Sequence, residues 1–75
     1  MNATQCKMAR AALGLGVREL ATLSNVAQAT ISRLERGEVL KPATVASIRA
    51  ALEQAGIEFI AENGGGVGVR LKDSQ

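Results

Sequence analysis

The stretch Val17–Gly37, VRELATLSNVAQATISRLERG, constrains the fold more than any other part of the chain. Leu20, Ala21 and Ser24 fall on one face of one short helix. Ile31 and Leu34, three residues apart, fall on one face of the next. Asn25-Val26 stands between them: asparagine accepts the left-handed backbone of a helix C-terminus, and valine can fill the angle where two helices meet. Ala21 has to be small, because a larger side chain would push the second helix away. The pattern predicts two short helices crossing steeply through a tight turn, an arrangement that offers its second helix to the major groove of DNA.

The rest of the chain sets the scale around that stretch. Seventy-five residues make one small domain. A chain of this size buries only about 60% of its unfolded surface, so a partner or self-association is expected. Phe59 is the one aromatic residue, leaving Ala, Val, Ile and Leu to pack closely spaced short helices. The first helix is expected over about Ala3–Leu13, capped near Asn2 or Thr4 and stopped by Gly14. Cys6, Ala9 and Leu13 share one of its faces, flanked by Met8 and Ala12. The second helix of the motif is expected over about Gln28–Arg36, closed by Gly37. Pro42 suits the first turn of a further helix, on which Val45, Ile48, Leu52 and Ala55 step by three and four until Gly56.

The tail departs from the helical plan. Ile57–Ala61 is strand-forming, and after a glycine-rich connection over Glu62–Gly66, Val67, Val69 and Leu71 alternate with Gly68, Arg70 and Lys72. Period two on both sides of such a connection predicts a β-hairpin over residues 57–72. A lone hairpin leaves an unpaired edge, which could pair with its copy in a second chain. The glycines do not read as a phosphate-cradling loop, since no helix start and no Lys-Ser/Thr follow them. Asp73-Ser74-Gln75 is expected to fray.

The residues Leu20-Ala21, Val26 and Thr30-Ile31-Ser32-Arg33-Leu34-Glu35-Arg36-Gly37 resemble the phage-repressor and Cro type of helix-turn-helix, the XRE family, and the resemblance runs from about Arg10 to Leu52. It implies a mainly α, lambda-repressor-like DNA-binding domain of four to five short helices over residues 1–56, here followed by the hairpin. It also implies a transcriptional regulator, most simply a repressor, that binds double-stranded DNA as a dimer on a near-palindromic operator. The DNA-binding residues it points to are Gln28, Ala29, Thr30, Ser32, Arg33 and Arg36 on the recognition helix, with Lys41 in the following loop touching the DNA backbone. Gln can pair with adenine, Arg with guanine or phosphate, and Ala with a thymine methyl. The resemblance further implies an ion pair between Glu35 and Arg10. Three positions depart from the family pattern: Gly16 and Ala27 stand where a capping Ser or Thr is usual, and Val17 where Gln is usual. These departures loosen the expected grip on phosphate more than the fold.

Other chemistries find little support. There is no His, and a single Cys makes no zinc site, so no metal and no cofactor are expected. The carboxylates are scattered, no nucleophile has a base beside it, and an enzyme is not expected. Cys6 reads as a small buried hydrophobe. A lone Cys, no long apolar run and no signal-peptide pattern at the start fit a cytoplasmic protein. The net charge is +2, with six basic and three acidic residues in 1–41 against three and four in 42–75, so a polyanion would favour the first half. A rival reading is an antitoxin-like interaction module whose hairpin binds a toxin-like protein partner.

Overall fold

The computed structural model describes residues 1–61 and 64–72. Four helices, α1 (Ala3–Leu13), α2 (Val17–Ser24), α3 (Gln28–Glu35) and α4 (Pro42–Gln54), precede an antiparallel pair of strands, β1 (Ile57–Ile60) and β2 (Gly68–Leu71). The register pairs Ile57 with Leu71 and Ile60 with Gly68. The fold is mainly α with a C-terminal hairpin, as the sequence implies. Part of the hairpin connection, Glu62-Asn63, and the frayed end expected at Asp73–Gln75 lie outside the described residues.

Local signals start and stop each helix. Asn2 Oδ1 accepts the Gln5 backbone N–H at 2.8 Å while Gln5 Oε1 accepts that of Asn2 at 3.0 Å, a reciprocal capping box. Asn25 takes the left-handed conformation (φ 57°) between α2 and α3, and the Val26 N–H closes the turn on the Ala21 carbonyl at 3.1 Å. Gly16 and Ala27 give α2 and α3 no side-chain cap. Helix α3 ends at Glu35, one residue short of the expected Arg36, which serves as its C-cap.

The core is aliphatic: Cys6, Ala9, Leu20, Ile31, Leu34, Ile48, Leu52 and Ile57 form one buried cluster. Leu13, Ala21, Val26 and Val45 pack against its rim, whereas Ala55, expected on the inner face of α4, is exposed. It caps the helix after its last turn, where the chain already bends towards β1. Phe59 and Val69 carry the hairpin onto the cluster, and the Arg49 guanidinium sits 4.9 Å above the Phe59 ring. Gln5 joins the two halves of the chain: its amide nitrogen donates to the carbonyls of Ile60 (3.3 Å) and Gly68 (3.1 Å).

Beneath the core lies a polar triad. Arg10 donates from Nε and Nη2 to the two carboxylate oxygens of Glu35, both at 2.8 Å, and from Nη1 to the Leu15 carbonyl at 3.1 Å. The Cys6 thiol donates to Glu35 Oε2 at 3.2 Å. The Arg10 hydrogen bonds hold the Glu35 carboxyl below its usual range, while burial, reinforced by Glu35, pushes the Cys6 thiol up to about 12. A thiol that ionises more easily unfolded than folded stabilises the fold below its unfolded value and loses that contribution as pH rises towards the folded one. Thermal melts of the wild type should therefore fall between about pH 9 and 11 more steeply than those of Cys6→Ala. Parallel curves for the two proteins would contradict the buried, neutral thiol.

Candidate nucleic-acid interface

Helix α3 is amphipathic in the sense its sequence requires. Ile31 (fully buried) and Leu34 fix one side to the core, and Gln28, Ala29 and Arg33, with the C-cap Arg36 after them, are exposed on the rest, with Thr30 and Ser32 half-buried between. Two clefts flank this helix. One, of about 510 Å³, occupies the elbow of the two-helix motif and is lined by Arg18 and Thr22 of α2, Asn25, and Gln28 at the start of α3. The other, of about 300 Å³, lies between Thr30 and Arg33 of α3 and the loop residues Val39, Leu40 and Lys41. The structure thus gathers Thr30, Arg33 and Lys41 at one cleft and Gln28 at the other, while Ala29 and Ser32 line neither.

Three residues at this surface were not singled out from the sequence. Arg18 faces Gln28 across the elbow, and the only hint of it is its four-residue spacing from Thr22, whose hydroxyl donates to the Arg18 carbonyl at 3.2 Å. Val39 is 94% exposed, an apolar side chain standing out of the loop after α3. Glu38 accepts hydrogen bonds from Arg33 Nε at 2.9 Å and Arg36 Nη2 at 3.3 Å, which hold its carboxyl below the usual range. Arg33 of α3 and Arg36, its C-cap, are therefore engaged by one acid. A sequence signal existed in R-x-x-R-G-E, since a left-handed glycine turns the following residue back over the helix it ends.

A tight two-helix elbow with a polar, cation-bearing second helix exposed along one side is the architecture of a helix-turn-helix DNA-binding protein. A family model described as helix-turn-helix matches residues 7–58, more than half of the chain. The chain belongs to this family, the XRE type of helix-turn-helix regulators, and it is a DNA-binding transcription regulator in that general sense. The family is one of DNA-binding proteins rather than enzymes. No curated protein matches the chain. Among the described residues no helix is long and apolar enough to cross a membrane.

Proposed function

We propose that the protein binds a specific double-stranded DNA operator as a homodimer and represses transcription by occupying a promoter. The reading is carried by the exposed polar side of α3, locked in orientation by Ile31 and Leu34 on its other side. Gln28, Ala29, Thr30, Ser32 and Arg33 meet base edges, and Arg36 and Lys41 meet the phosphate backbone. The dimer forms through the outer edge of the hairpin. Among the described residues each strand is paired on one side only, and Val67, just before β2, and Leu71, its last residue, are exposed (38% and 51%). Pairing that edge with its mate would extend the sheet and set two recognition helices on one side, where a two-fold operator needs them about 34–36 Å apart.

Selection of bound duplexes from a random pool tests the reading, since half-site sequence and spacing report specificity and symmetry together. On the selected site Arg33→Ala and Gln28→Ala should each weaken binding by about 1–3 kcal/mol with unchanged melts. Wild-type affinity in both variants would mean that another face of the protein meets the DNA. Recovery of a second protein with the chain from its native cell, and no enrichment of any duplex, would favour a partner-holding role instead.

A further inference from the structure

We propose that Glu38 is a specificity-determining residue of the DNA-binding surface, which neutralises Arg33 and Arg36 towards phosphate in general while leaving the outer edge of Arg33 open to a base. The inference rests on the reading of α3 as the DNA-facing helix.

The position of Glu38 is built by the backbone. Gly37 takes a left-handed conformation (φ 91°), its N–H bonds the Leu34 carbonyl at 2.9 Å, and the Glu38 N–H bonds the Arg33 carbonyl at 3.1 Å. This turn folds residue 38 back over the last turn of α3, where its two carboxylate oxygens each take one arginine. Helix stability does not explain an acid there, because a negative charge beside a helix C-terminus lies at the unfavourable end of the dipole. Burial does not explain it either. Arg33, Arg36 and Glu38 are 49%, 63% and 46% exposed, and ion pairs so exposed add little to stability.

The geometry fits a role in recognition. Arg33 bonds Glu38 through Nε, and among the described residues its terminal nitrogens Nη1 and Nη2 donate to no protein acceptor. The ion pair therefore steadies the guanidinium and leaves its outer edge free for the two acceptors of a guanine. Non-specific binding depends differently on the same charges, since its strength follows the number of phosphates that cations neutralise. A carboxylate fixed between two of the surface cations subtracts from that number on every sequence. On the selected site, removing it also frees the Arg33 guanidinium that it steadies against the base, which offsets the gained charge, and on other sequences nothing offsets that gain.

Glu38→Gln, which keeps the shape and removes the charge, tests this directly. Affinity for a non-specific duplex should rise on the order of five- to ten-fold near ~0.1 M salt, with a salt slope steeper by about one. Affinity for the selected site should rise less than about two-fold, so the specificity ratio falls. Glu53→Gln, which removes the same charge from the exposed Arg49–Glu53 pair on α4, should leave both affinities near wild type. An unchanged specificity ratio in Glu38→Gln, or an equal effect in Glu53→Gln, would overturn the proposal. A wild-type protein with no sequence preference would overturn the underlying reading of α3 itself.

Discussion

Arg10→Ala should destabilise the domain by about 2–4 kcal/mol, a fall in Tm on the order of 10–25 °C for a chain of this size. The loss is large because one side chain makes three hydrogen bonds between elements: two to Glu35 on α3 and one to the Leu15 carbonyl in the α1–α2 turn. Glu35 is only 9% exposed, and without Arg10 its carboxylate would keep the Cys6 thiol as sole side-chain donor. Breaking a buried pair from one side leaves an uncompensated charge, the costly case. Arg10 itself is 22% exposed, which places the expected loss below that of a fully buried pair. Arg10→Lys should recover only part of the loss, since an ammonium cannot span both oxygens in a fork.

Two measurements separate this pair from a merely adjacent one. In a double-mutant cycle with Glu35→Ala the losses should fall well short of additive, and additive losses would refute the coupling. The pH dependence gives an independent sign. The folded carboxyl of Glu35 lies below its unfolded value, so its contribution is present above the ordinary carboxylate range near about 4.3 and is lost as pH falls through the folded value. The gap in Tm between wild type and Arg10→Ala should accordingly narrow below about pH 4.

Ending the chain after Gly56 should unfold it rather than release a working helical core. Ile57 is fully buried among Cys6, Ile48 and Leu52, and Phe59 and Val69 pack on the same cluster. Removing most of one such aliphatic side chain costs about 2–5 kcal/mol, against a total stability of roughly 4–11 kcal/mol for 75 residues. The cut also takes away the Ile60 and Gly68 carbonyls that receive the buried Gln5 amide. Circular dichroism should show loss of the cooperative melt, and Ile57→Ala in the full chain should lower Tm by at least about 10 °C. A truncated chain that melts within a few degrees of wild type would show that the helices stand alone. Because the cut disturbs the core, the proposed hairpin dimer is better tested at exposed apolar positions. If the hairpin builds it, Val67→Lys with Leu71→Lys should leave the chain folded by circular dichroism and give monomer in sedimentation where the wild type gives dimer.

Most element boundaries were legible to within a residue or two from local signals. Asn2, Gly14, Asn25, Gly37, Pro42 and Gly56 act on the dihedral angles of their own few residues, and the stripes of Leu20, Ile31, Leu34, Ile48 and Leu52 follow from the helical period alone. The buried Cys6 and the Arg10–Glu35 pair were legible too, the first from composition and the second from a resemblance. Packing between distant elements is what brings Gln5 to carbonyls 55 and 63 residues away, the Cys6 thiol to Glu35, and Ile57 into the helical core. Glu38 between Arg33 and Arg36 is the local case, since the left-handed Gly37 turns it back over residues five and two before it. Backbone preference and periodicity act over a turn or two of chain, so they can be read locally. A hydrogen bond between elements depends on where packing brings two distant side chains, and no local pattern carries that distance.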